Sequence, residues 1–241
     1  MESRFALDIL SQPDDTTCGP TCLHAVYSYY GDDIALTQVV AEAHPLEGGG
    51  TLEVLLACHA LRRGYRATIY TYNLQVFDPT WFDNPDIDLR AKLKQQIKVK
   101  TSKRLKVATK AYLEFLALGG KLRFHDLTTA LLRKYLKQDK PILCGLSSTY
   151  LYHCAREFGP ALDPDDIRGV ATGHFVILCG YDLHNRHVLV ADPLKRNSSG
   201  KGQVYEVSID RLVGSILLGI LTYDANLLII EPPSSAGKEE K

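Results

Sequence analysis

Pro20 restricts how this chain can begin to fold more than any other residue. It lies in the stretch SQPDDTTCGPTCLHAVYSYYG, from Ser11 to Gly31. Proline has no amide hydrogen and, within a helix, is accepted in the first turn. The spacing of Leu23, Val26, Tyr27 and Tyr30 predicts a helix, with Gly31 as its stop. That helix must start within a residue or two of Cys18, with Thr16 or Thr17 available as cap. Cys18 is thereby placed at a helix N-terminus, where unpaired N–H groups and the macrodipole favour negative charge. The thiolate is the nucleophilic form of cysteine, and such a position lowers the thiol pKa. Cys22, one turn further in, feels less of this and reads as packing.

A nucleophilic thiol needs a base and a donor for the developing oxyanion. Gln12, close upstream, can supply a side-chain N–H, and the backbone N–H of Cys18 a second. Of the eight histidines, His24 shares the helix but is rotated off the face of Cys18. His44, His59, His125 and His153 have no acid in sequence placed to orient them. His184 and His187 sit in a predicted hairpin turn, where solvated histidines are commoner than metal ligands. His174 differs. It opens the apolar run HFVILCGYD, and Asp192 closes the partner run HVLVADP. A turn centred near Leu183 would set the two directly opposite each other on one face, the arrangement in which a carboxylate orients an imidazole. A one-residue slip would break it.

The remaining pattern is helices mostly first and strands mostly last, which predicts an α+β fold. TLEVLLACHALRRG and HDLTTALLRKYLKQ read as helices, the second with Asp126 near its start, and TYLYHCAREFG as another. YRATIYTY, KPILCGLS, QVYEVSI and NLLIIEP read as strands. Between Leu89 and Lys110 the chain has nine Lys or Arg and no acid, with Leu89, Leu93 and Ile97 on a helical stripe. This is a solvated helix face or a docking surface for an acidic peptide or protein.

The stretches DDTTCGPTCLHAVYSYYG, GHFVILCGYD and VLVADP, with Gln12 ahead of them, resemble the C39 peptidase-like family of papain-like cysteine peptidases. The order Gln, Cys, His, Asp matches that family's. The resemblance covers about residues 7–73 and 130–195. It implies a papain-like α+β fold with a helical part packed on an antiparallel sheet. It also implies Cys18 as nucleophile, His174 as general base and acid, Asp192 as its orienting residue and Gln12 in the oxyanion hole. The expected organisation is a single papain-like domain over 1–231, with a basic helical insertion at about 74–125 and a disordered tail at 232–241. The expected activity is hydrolysis of a peptide or protein amide through an acyl-enzyme. The alternatives are capture of that acyl group by an amine, as in a transpeptidase, and a non-catalytic peptide-binding module of the same fold. No transporter segment accompanies the domain in this sequence, so a role in trimming exported leader peptides is not carried over.

Composition excludes little but points one way. Lys plus Arg and Asp plus Glu both total 28, which gives no global case for nucleic acid or an anionic membrane. The start MESRFALDIL has no signal-peptide run, and SILLGILTY is too short to span a bilayer. The six cysteines form no CxxC pair. These features predict a cytoplasmic protein with reduced thiols. Nothing calls for a metal or cofactor. The triple glycine Gly48-Gly49-Gly50 lacks a P-loop lysine, and no Gly-x-Ser-x-Gly elbow is present.

Overall fold

The apolar runs of the C-terminal half pair into one sheet, and the periodic segments of the N-terminal half pack against it. This is seen in the computed structural model, which describes residues 3–43, 46, 50–195 and 202–233. His44, Gly48, Gly49 and most of the predicted tail lie outside the described residues. The elements in chain order are β1 (Ser3–Arg4), α1 (Cys18–Tyr29), α2 (Leu36–Glu42), α3 (Glu53–Arg62), β2 (Arg66–Thr71), α4 (Leu89–Val99), α5 (Lys103–Ala117), β3 (Lys121–Arg123), α6 (Thr129–Leu136), β4 (Ile142–Ser147), α7 (Ser148–Tyr152), β5 (Glu157–Phe158), β6 (Asp163–Pro164), β7 (Gly173–Asp182), β8 (His187–Ala191), β9 (Val204–Ser208), α8 (Ile209–Leu218) and β10 (Asn226–Glu231). Short 3-10 turns lie at Pro79–Phe82 and Gly219–Thr222.

The main sheet runs β3-β2-β10-β4-β7-β8-β9, with β1 added beside β7. All its pairings are antiparallel except β2 with β3. Helices cover both faces. Cys22, Leu23, Val26, Leu56, Tyr112 and Phe115 join Phe175 and Ile177 in one apolar cluster. Leu132, Leu136, Leu212 and Ile216 join Val176 and Leu178 in the other. A strand buried on both faces reads as an uninterrupted apolar run, which is why β7 shows no alternation. The basic segment belongs to the first of these cores. Leu93, Leu105, Ala108 and Tyr112 bury the inner stripe of α4 and α5, while the lysines between them face outward.

Several local expectations shift. Neither Thr16 nor Thr17 caps α1 with its side chain. The Thr17 hydroxyl instead donates to the Asp14 carbonyl at 3.0 Å. Thr128, not Asp126, caps α6, through a bond from Leu131 N–H to its Oγ1. The predicted helix TYLYHCAREFG stops after Tyr152, where His153 turns left-handed with φ 55°. The chain there leaves for the small β5–β6 ribbon, so local helical spacing gives way to a tertiary pairing.

Candidate active site

The β7–β8 hairpin decides whether His174 and Asp192 can meet. Its turn lies between Asp182 and His187, further along than Leu183. Near it Asp182 pairs with His187 and Tyr181 with Val188. Carried straight down, this register would oppose Asp192 to Ile177 and put it on the wrong face for His174. Between Leu178 and Gly180 the register shifts, so that Leu178 pairs with Val190 and Ile177 with Ala191. One further step opposes Asp192 to Val176, diagonal to His174 and on the same face. A bulge inserts one unpaired residue and so restores parity. The expectation of directly opposite residues is thus corrected by two positions, while their shared face is retained.

The imidazole Nε2 of His174 lies 2.9 Å from Asp192 Oδ1. The Cys18 thiol is close enough to act electrostatically on the same ring. Nε2 is taken by Asp192, and no partner of Nδ1 is seen among the described residues. Burial opposes charge on this ring, but the bonds and charges of Asp192 and Cys18 outweigh it and push the pKa up to about 10. Cys18 packs in the cluster on one face of the sheet, whereas the partners of Asp192 belong to the other. His174, near the start of β7, joins the two.

Asp192 is fully buried yet well satisfied. Oδ1 also accepts from Leu194 N–H at 2.9 Å. Oδ2 accepts from the hydroxyls of Tyr152 and Tyr205, each at 2.6 Å. Desolvation raises the carboxyl pKa, but His174 and the two tyrosines more than offset this and hold it below its usual value. Burial, with the Asp192 charge beside them, keeps both phenols protonated far above their ordinary range. Sequence reasoning missed both tyrosines. The only available signal was Tyr205 at an inward position of VYEVS, since a buried phenol needs a partner.

At the start of α1 the first intrahelical bond runs from Thr21 N–H to Thr17 O. Pro20 has no N–H to offer, and among the described residues no side chain caps the N–H groups of Cys18 and Gly19. Gly19 must be small: a Cβ there would lie 2.7 Å from Thr51 Cγ2. Gln12 is tied to the Asp192 corner by its backbone N–H, which donates to Pro193 O at 2.9 Å. One N–H of its side-chain amide donates to Asp14 O at 2.8 Å, which leaves the second available. Gln12 and His174 line a cleft of about 360 Å³ together with Asp15, Ser148, Tyr152 and Glu157, among others. Cys18 is not in that lining and is 8 % exposed.

The other thiols separate clearly from this one. Cys22 donates to Phe175 O at 3.3 Å, and burial, with the charge of Cys18 next, pushes its pKa well up. Burial raises Cys58 and Cys179 to about 12, and it also pushes Cys144 well above its ordinary value. Cys154 is half-buried in the lining of the cleft. Among the histidines, His59 does have an acid, contrary to expectation. Its Nε2 meets Glu42 at 3.0 Å and its Nδ1 meets the Tyr27 hydroxyl at 2.8 Å, inside the helical layer away from the cleft. Among the described residues no group of three His, Cys, Asp or Glu side chains is placed to hold a metal ion, and no helix is long and apolar enough to cross a membrane.

Comparison with known proteins places the fold. The profile of the Peptidase_C39 like family matches residues 6–212. A C39-like peptidase structure from Bacillus anthracis superposes with a TM-score of 0.52 at 12% identity, covering 96% of this chain and 98% of that one. Xylellain, a cysteine protease from Xylella fastidiosa, gives 0.46 at 12% identity over 96% and 85%. A double-glycine-motif protease from an AMS/PCAT transporter, solved with its leader peptide, gives 0.46 at 15% identity over 95% and 94%. No curated protein sequence matches. With most of its length matched by the family profile and its sheet and helices arranged as in a C39-like peptidase, the chain belongs to the Peptidase_C39 like family.

Proposed function

We propose that this protein is an intracellular cysteine peptidase or amide hydrolase working through Cys18, His174 and Asp192. The reading rests on one observation: the His174 ring is bonded to a fully buried, four-donor carboxylate and lies near enough to Cys18 for the two to interact electrostatically. In the first half-reaction the Cys18 thiolate attacks the scissile carbonyl carbon, and the C=O pair moves onto oxygen. Cys18 N–H and the second N–H of Gln12 stabilise that oxyanion. The imidazolium of His174 gives its proton to the leaving amine as the C–N bond breaks, leaving a thioester. In the second half-reaction His174 takes a proton from water, whose oxygen attacks the thioester, and the proton returns to the sulfur as the acid leaves. Asp192 holds the ring in orientation and favours its charged form. The proposed substrate is a peptide or protein segment with acidic residues, supported by the exposed lysines of α4 and α5. Six cysteines with no disulfide are in keeping with a reducing compartment.

An electrophilic probe such as iodoacetamide, followed by peptide mapping, tests the nucleophile. Cys18 is expected to react first, ahead of the half-buried Cys154. Cleavage of a peptide library should fall at least about 10³-fold in Cys18→Ala and about 10²- to 10³-fold in Gln12→Ala. Full activity of Cys18→Ala, or modification of Cys154 in preference to Cys18, would refute the reading.

A further inference from the structure

The charges around the cleft are segregated. Among the described residues its lining carries the carboxylates of Asp15 and Glu157 and, apart from the His174 ring, no basic side chain. On α4 and α5, by contrast, Lys94, Lys98, Lys103, Lys106 and Lys110 are exposed, and none is in an ion pair among the described residues. Asp78 faces Lys92 and Lys100 at the far end of this surface, and the buried Asp224 feels Arg104. No acid intervenes between Lys103 and Lys110.

The basic corner is fastened to the catalytic side of the sheet. Arg104 Nη2 donates to Thr222 O at 2.8 Å, with its guanidinium 5.1 Å from the ring centroid of Tyr223. Gln75 Nε2 donates to Ile220 O at 2.9 Å, and Lys100 Nζ to Gln75 O at 3.4 Å. The Gly219–Thr222 turn in its turn presses on β7: a Cβ on Gly173 would lie 2.6 Å from Thr222 Oγ1. Gly173 immediately precedes His174. Through Arg104 and Gln75, α5 and the loop before α4 are thus joined to the turn that packs on the start of β7, while Lys103, Lys106 and Lys110 lie on another face of α5, exposed.

We propose that the α4–α5 corner around Lys103, Lys106 and Lys110 is a docking site, outside the cleft, for an acidic peptide segment. That this segment is part of a substrate rests on the peptidase reading; the docking itself does not. A stretch of Asp or Glu is repelled by Asp15 and Glu157 and attracted by the lysines, so the charge pattern also orients the bound chain. Nucleic acid fits less well, because the nearest aromatic on α5, Tyr112, is buried and offers no base a stacking face.

The test uses fluorescein-labelled deca-glutamate and the full chain, in wild-type and Cys18→Ala forms, read by fluorescence anisotropy. Both are expected to bind it at 50 mM NaCl and more weakly at 300 mM. A Lys103→Ala/Lys106→Ala/Lys110→Ala variant should lose about tenfold, from about two- to threefold per exposed charge pair. The corresponding triple arginine variant should retain binding, which separates lost charge from lost fold. Absent binding at low salt, an unchanged affinity in the triple alanine variant, or tighter binding of decathymidylate than of deca-glutamate would each overturn the proposal. Deca-glutamate binding with no cleavage of any peptide would remove the peptidase reading alone; cleavage without deca-glutamate binding would remove the docking site alone.

Discussion

Replacing Tyr205 by phenylalanine removes one oxygen and nothing else from the site. The ring stays packed in its cluster, so no cavity opens. What is lost is a 2.6 Å bond to an ionised, fully buried carboxylate. Hydrogen bonds to charged groups contribute about 1.5–3 kcal/mol, against about 1 for a neutral pair. We expect a loss of about 2 kcal/mol at pH 7, or about 4–8 °C in Tm for a domain of this size. The effect must depend on pH. The folded pKa of Asp192 lies below its ordinary value, so its contribution is full above that ordinary value and is lost as pH falls through the folded one. Below it, the variant gives up only a neutral bond, and the difference from wild type should shrink by about half. Tyr152→Phe should behave alike, and the double variant should cost more than the sum, because Oδ2 is then buried with no donor. Thermal unfolding between pH 3 and 8 measures all of this. A loss below about 0.5 kcal/mol at pH 7, or a loss that grows as pH falls, would refute the assignment of the tyrosines as donors to an ionised Asp192.

Other groups set further expectations. His174, pushed up to about 10, should keep its proton through neutrality. Its pairing contributes stability in full below the ordinary value of 6.5, and this is lost as pH rises through about 10. An imidazole midpoint below 8 by NMR would contradict the bonding described. Asp224 is buried, accepts from Glu53 N–H at 2.9 Å, and is raised to about 7, with burial as the main cause. Because its folded pKa lies above the unfolded one, stability falls as pH rises from about 4 to about 7. Asp224→Asn keeps an acceptor for Glu53 and removes the charge. It should raise Tm at pH 8 and leave it nearly unchanged at pH 5, and the reverse order would count against a buried carboxyl that resists ionisation.

Much of the candidate site's placement on helix and strand was legible because those signals are local. Pro20 places the helix start near Cys18 whatever surrounds it, since a missing N–H and a fixed φ act within one turn. The apolar runs around LHNR announce β7 and β8. The break at His153 and the cap by Thr128 were less legible, because each is settled by competition between neighbouring bonds. His59 misled for another reason: its acid, Glu42, comes from a different helix.

By itself, then, the sequence determined where a thiol sits on a helix and which imidazole and carboxylate lie on paired strands. Only the tertiary structure decided that the two strands slip by one residue between Leu178 and Gly180, and without that slip His174 and Asp192 would face opposite sides of the sheet. It also decided that Tyr152 and Tyr205 close around the carboxylate, from α7 and from β9. Chain order encodes the period of a strand but not its register. Register is set by the summed packing of both faces, and a buried charge persists only where that packing supplies its donors.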